Sequence, residues 1–297
     1  MPRTSAIPTA PVPDEGRDGW LELNGLRFHY VSWGQPQSPA LVCLHGLRSY
    51  ARTFAPLAAT LSRSFFVIAL DQRGRGETDW DPDRNYYADQ YVSDLAAFVD
   101  RLDLARFHLL GHSMGGVNSI LYAARHPGRL LSLILEDSGP GASQNSRGAS
   151  RINAELASTP ASFPDWDSAR AFWRSIRPNV TDAAIDSRVA NSLKQGADRV
   201  EWRHDQAGIA LCRLTGDPTR TMPDLWPLIP QITCPALVIR GAESDYLSTE
   251  TLTAMQAANP RLRGIEVAGA GHYVHDDQPA AFHRAVISFL AGQATAS

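Results

Sequence analysis

Short, uninterrupted apolar runs alternate along most of the chain with longer runs whose apolar positions recur every three or four residues. ALVCLHG at 40–46, FFVIALD at 65–71, FHLLGH at 107–112, LLSLILED at 130–137 and PALVIRG at 235–241 are of the first kind. Such runs read as strands buried on both faces. ADQYVSDLAAFVDRL at 88–102 is of the second kind, with Tyr91, Leu95, Phe98, Val99 and Leu102 on one helical face. TFAPLAATLSR, GGVNSILYAARH, TETLTAMQAAN and PAAFHRAVISFLAGQ read as further helices, the second of them stopped by Pro127-Gly128. Near the start, WLELNG and LRFHYVSWG predict a hairpin turning at Asn24-Gly25.

Strands alternating with helices predict an α/β fold: a mostly parallel central sheet with helices on both faces and an antiparallel edge. From about 140 to 228 the alternation lapses into a stretch rich in Trp, Arg, Ser and Asp, with short helical pieces such as DSARAFWRSI and DAAIDSRVANSLKQ. The expected division is a flexible arm over 1–19, a core over 20–139 and 229–297, and a helical cap inserted at 140–228. The cap would lie over the carboxyl ends of the strands, where open α/β sheets bind ligands.

Composition narrows the function class. The 28 basic residues, of which only Lys194 is lysine, are scattered among 31 acids, and the net charge is -3. That balance argues against a nucleic-acid surface. The three cysteines, Cys43, Cys212 and Cys234, are odd in number and widely spaced, which speaks against a disulfide framework or a zinc site. Reduced thiols fit a cytoplasmic protein. The N-terminus has four prolines among its first thirteen residues and no apolar core of a signal peptide. No run approaches the roughly 18 apolar residues of a membrane span. The histidines show no HExxH or HxH spacing and no GxGxxG follows the first strand, so neither a metal nor a dinucleotide cofactor is expected. The expected partner is a small, partly apolar molecule acting on a monomer or homodimer.

The segment LGHSMGG at 110–116 joins a buried strand to a helix. Gly111-x-Ser113-x-Gly115 in that setting is a nucleophile elbow. The turn is so tight that side chains at both glycine positions would clash, and the serine takes an unfavourable backbone conformation that pushes its hydroxyl out of the sheet. The Met114 N–H, at the helix N-terminus, points to the same spot and can hold an oxyanion.

HG at 45–46, DQRGRG at 71–76, GHSMGG at 111–116, RGAESD at 240–245 and GAGH at 269–272 follow one another in order. With these motifs the chain resembles the α/β-hydrolase fold family, in its cap-bearing esterase, lactonase and C–C hydrolase branches. The resemblance covers nearly everything after residue 19. It implies a cofactor-free serine hydrolase whose serine needs an imidazole held by a carboxylate, in the chain order Ser, Asp/Glu, His. His272, in VAGAGHYV, is the implied base. Asp245, after ALVIRG, is the expected acid; Asp137, after LILE, is the alternative that some relatives use, and Glu243 comes too early. The second oxyanion donor implied by the resemblance is the Leu47 N–H.

His45 reads first as a loop histidine bonded to backbone, and with Arg48, His112, Trp202 and Tyr273 it completes the substrate-facing candidates. The cap aromatics Phe163, Trp166, Phe172, Trp173, Trp202 and Trp226 divide between a small core and an apolar pocket lining. Serine rather than aspartate at 113 selects acyl chemistry over haloalkane or epoxide opening. The expected function is hydrolysis of a small carboxylic ester or lactone. C–C cleavage of a β-diketone-type acid, amide or carbamate hydrolysis, and a receptor-like binder of the same fold are the alternatives.

Overall fold

The computed structural model describes residues 16–178 and 180–294. The first six strands are β1 (Arg17–Leu23), β2 (Leu26–Trp33), β3 (Ala40–Leu44), β4 (Phe66–Leu70), β5 (Phe107–His112) and β6 (Leu130–Glu136). Between them lie α1 (Ala55–Leu61), α2 (Ala88–Arg101) and α3 (Met114–Arg125). β1 and β2 form the expected antiparallel hairpin, with Asn24 at φ 49 and Gly25 at φ 80. Positive φ at both central residues makes a turn whose twist matches the strands. Strand β1 begins at Arg17, so residues 17–19 of the expected arm belong to the sheet, and residues 1–15 lie outside the described residues.

The chain between β6 and the next strand of the main sheet holds α4 (Ala142–Asn145), α5 (Arg147–Ser158), β7 (Ser162–Phe163), α6 (Trp166–Ile176), α7 (Asp182–Ser192), β8 (Leu193–Gln195), β9 (Val200–Trp202), α8 (Gln206–Thr215) and α9 (Pro218–Thr221). The main sheet then resumes with β10 (Ala236–Gly241), α10 (Thr249–Ala258), β11 (Leu262–Val267), α11 (Val274–Asp277) and α12 (Pro279–Ala294). The eight-stranded order is β1-β2-β4-β3-β5-β6-β10-β11. All pairings from β4 onward are parallel. Strands β3, β5 and β10 are buried at every residue, the pattern of a sheet covered on both faces.

The insertion is not purely helical. β7, β9 and β8 form a small antiparallel sheet, and Leu193–Gln195, read from sequence as the end of a helix, pair with Val200–Trp202. This sheet and helices α6 and α7 enclose a separate core of Phe163, Trp173, Ile185, Val189, Leu193 and Trp202. Helices α5 and α8 instead send Ile152, Leu156, Ile209 and Cys212 into the main core, which anchors the insertion to the sheet. No described helix is long and apolar enough to cross a membrane.

Candidate active site

Ser113 stands between β5 and α3 at φ 52 and ψ -115. The flanking glycines are obligatory. A Cβ on Gly111 would lie 2.4 Å from the Gly115 carbonyl oxygen, and one on Gly115 would lie 2.2 Å from the Leu44 carbonyl oxygen. The close approach of α3 to β3 and β5 presents the serine at the carboxyl edge of the sheet.

The Ser113 hydroxyl donates to His272 Nε2 at 2.9 Å, and His272 Nδ1 donates to Asp137 Oδ2 at 2.7 Å. The three residues follow β5, β11 and β6, and all are buried. The carboxylate hydrogen-bonded to His272 is therefore that of Asp137, not the expected Asp245. Two causes account for this. Asp137, at φ 44, lies directly after β6, the strand next to that of the serine, and also accepts hydrogen bonds from the Ser244 hydroxyl at 2.6 Å and the Gly241 N–H at 3.2 Å. Asp245 is occupied elsewhere: Arg151 of α5 forks onto its two oxygens at 2.9 Å each, and its carbonyl accepts from the Gly148 N–H at 2.8 Å. The loop after β10 supports Asp137 through Ser244 while its own carboxylate holds the insertion.

Burial, reinforced by the nearby Arg151 and Arg177 cations, pushes His272 down to about 3, so its imidazole is neutral at physiological pH. Burial raises Asp137 above the usual carboxyl range, against the pull of Ser244 and Gly241. The ring of Tyr246 packs against His272 with centroids 4.2 Å apart and planes tilted by 39°.

A second polar constellation lies beside the first. His112 and Glu136 directly precede Ser113 and Asp137, His275 comes three residues after His272, and their possible ligand atoms lie within 4.8 Å of one another. These groups bond to protein partners. Glu136 Oε1 accepts from the His275 backbone N–H at 2.9 Å and from its Nδ1 at 2.7 Å. His112 Nε2 donates to the His272 carbonyl at 3.1 Å. Burial opposes charge on His275, but the Glu136 and Asp276 carboxylates prevail and raise it to about 9. The ion pair ties the His272 loop to the end of β6.

Two clefts meet at Ser113. One, beside His272, is lined by Arg48, His112, Trp173, Arg177, Arg188 and Tyr273. Its guanidinium groups are paired: Arg48 with Glu155 at 2.5 Å, Arg177 with Glu155 at 3.3 Å, and Arg188 with Asp276. Arg177 also donates to the Tyr273 hydroxyl. The other cleft opens past Leu47 and Met114 toward Tyr91, Ile152, Ile209 and Tyr246. Both expected oxyanion residues thus border the serine.

Two substrate-facing candidates lie elsewhere. Trp202 is 2 % exposed in the insertion's own core, against Phe163, Phe172 and Trp173, with its indole N–H on the Pro160 carbonyl at 2.8 Å. His45 is wholly buried; its Nδ1 donates to the Gly46 carbonyl at 2.7 Å and its Nε2 accepts from the Gln72 N–H at 3.1 Å. It braces the loop after β3. Sequence reasoning missed Arg177, Arg188 and Tyr246, because nothing in their spacing separates them from solvated or core positions.

A family model described as the alpha/beta hydrolase family matches residues 41–285. Among curated proteins, the chain is 32% identical over 257 residues to a 3-hydroxybutyrate-oligomer hydrolase of Cupriavidus necator, covering 83% of this chain and 87% of that one. It is 31% identical over 252 residues to a 2-(acetamidomethylene)succinate hydrolase of Mesorhizobium japonicum, covering 85% and 88%. Among solved structures, an E-2-(acetamidomethylene)succinate hydrolase superposes with a TM-score of 0.84 at 26% identity, over 93% of this chain and 100% of that one. On its sheet, its elbow and these matches, the chain belongs to the alpha/beta hydrolase family and is a hydrolase.

Proposed function

We propose that the chain is a serine hydrolase that cleaves a small carboxylic ester or lactone through an acyl-enzyme, with Ser113, His272 and Asp137 as its triad. The observation that carries this reading is the continuous hydrogen-bonded run Ser113–His272–Asp137, at 2.9 and 2.7 Å. As Ser113 Oγ attacks the carbonyl carbon, its proton passes to His272 Nε2. The N–H groups of Leu47 and Met114 hold the oxyanion, the latter at the positive end of α3. His272 then gives that proton to the leaving alkoxide as the carbon–oxygen bond breaks. Water attacks the acyl-enzyme, losing a proton to His272, which returns it to Ser113 as the acid leaves. Asp137 holds the Nδ1–H tautomer and stabilises the imidazolium.

A small substrate is supported by the enclosure of the serine, which is 5 % exposed, by residues of the insertion such as Ile152, Trp173 and Arg213. The curated relatives, named as hydrolases of a 3-hydroxybutyrate oligomer and of 2-(acetamidomethylene)succinate, favour compounds of that size. The test is turnover of p-nitrophenyl esters from acetate to octanoate by wild type and Ser113→Ala. The expected result is repeated turnover in the wild type and none in the variant, with an unchanged thermal melt. Equal activity in the two proteins refutes the nucleophile.

A further inference from the structure

The cleft on the Met114 side of Ser113 is mostly apolar, yet two guanidinium groups line it, Arg75 and Arg213. Neither forms an ion pair among the described residues, in contrast to the three arginines of the opposite cleft. A cation taken out of water without an anion is unfavourable unless something else compensates it.

Arg75 has a structural explanation. It is 0 % exposed, donates to the Leu47 carbonyl at 3.1 Å, the Arg73 carbonyl at 2.8 Å and the Tyr91 hydroxyl, and lies over the rings of Tyr86 and Tyr91. Its remaining nitrogen meets the Met114 sulfur at 3.6 Å. It braces the two segments that border the serine.

Arg213, which is only partly buried, has no such account. It projects from α8, donating from Nε to the Asn153 side-chain oxygen at 3.1 Å and from Nη2 to the Ser143 carbonyl at 3.0 Å. Both acceptors are neutral, and Nη1 has no protein acceptor among the described residues. Burial lowers its pKa, with Tyr246 alone opposing. Tyr246 spans the gap to the reaction centre: its ring packs against His272, and it lines the same cleft as Ser113, Ser143 and Arg213. One tyrosine side chain thus separates the unpaired cation from the nucleophile.

Resting on the serine-hydrolase reading above, we propose that the substrate carries a free carboxylate a few carbons from the scissile carbonyl, and that Arg213 anchors it in the Met114-side cleft. A guanidinium offers planar donors matched to a carboxylate, and its attraction is strengthened where water is scarce. The neutral bonds to Asn153 and Ser143 fix the side chain before the ligand arrives, so little rotamer freedom is lost on binding.

The test compares kcat/KM for charged and neutral esters of matched size. Mono-p-nitrophenyl succinate, glutarate and adipate carry the charge on the acyl side and are paired with p-nitrophenyl butyrate. 4-Acetoxybenzoate carries it on the leaving side and is paired with phenyl acetate. At least one anionic ester should exceed its neutral counterpart tenfold or more. Arg213→Gln should remove that advantage through KM while leaving the neutral esters within threefold, and Arg213→Lys should restore part of it. The proposal is overturned if no anionic ester is preferred, or if the preference survives in Arg213→Gln, which would place the charge in the cleft of Arg48, Arg177 and Arg188. Ser113→Ala, run on the neutral esters, keeps the two readings apart. Its inactivity upholds the nucleophile whatever the charge preference, and its full activity removes the reading on which the proposal rests.

Discussion

Ser113 and Asp137 are non-glycine residues held at positive φ, 52 and 44, in a region that side chains other than glycine rarely occupy. Each follows directly on a buried strand, so the sheet imposes the conformation on both. Ser113 was legible because its strain demands glycines on either side, and those glycines are written in the sequence as Gly111 and Gly115. Asp137 tolerates its strain unaided and leaves no such signature, whereas Asp245 stands after the strand where the resemblance placed the acid. Choosing between the two needed the position of Arg151, which lies in the insertion and which no local pattern connects to residue 245. The surroundings of His272 lead to a testable pH dependence. Burial and the Arg151 and Arg177 charges lower its pKa, and the proposed base acts as the neutral imidazole, so its own titration should fall below the ordinary histidine value. A profile of kcat/KM on a neutral ester should show no limb at about pH 6.5, the ordinary histidine value. A descending acid limb near 6.5, removed by no other substitution, would contradict this assignment.

At the scale of elements, the strands and helices of the main sheet were legible because each carries one unbroken period. The buried pattern of β3, β5 and β10 and the helical face of α2 leave little room for another reading. The insertion was not, because its elements are short and its polar and aromatic residues follow no single period. Strand β8 is three residues long and continues α7 without a break, so its pairing with β9 comes from tertiary contact and not from local preference. Trp202 illustrates the consequence. An aromatic beside Arg203 and His204 reads as substrate-facing, but the hairpin turns it inward among Phe163, Phe172 and Trp173. Trp202→Ala should therefore cost about 3–5 kcal/mol of stability, the usual range for emptying a buried aromatic site. Thermal or denaturant unfolding would register the loss. A variant that melts like the wild type but has a raised KM would return Trp202 to the substrate pocket.

At the scale of the whole molecule, the sheet sets β5 beside β6, the loop after β11, far later in the sequence, reaches past β10 to their ends, and residues of the insertion close over them. The two networks at this edge divide the work. Ser113, His272 and Asp137 form the hydrogen-bonded run of the proposed triad, while Glu136 and His275 fasten the histidine loop to the sheet. Arg151 joins the insertion to the loop after β10 through Asp245, so the residue expected to polarise the base instead positions the roof of the site. The most direct test of this account is kcat for Asp137→Asn measured beside Asp245→Asn on one ester, with both melts recorded. Asp137→Asn should lower kcat by about 10⁴, the scale of lost tautomer control in a serine protease triad, while Asp245→Asn should lower it by less than about tenfold. The reverse ranking, with both variants folded, would contradict the assignment of Asp137 and return the acid to the loop after β10.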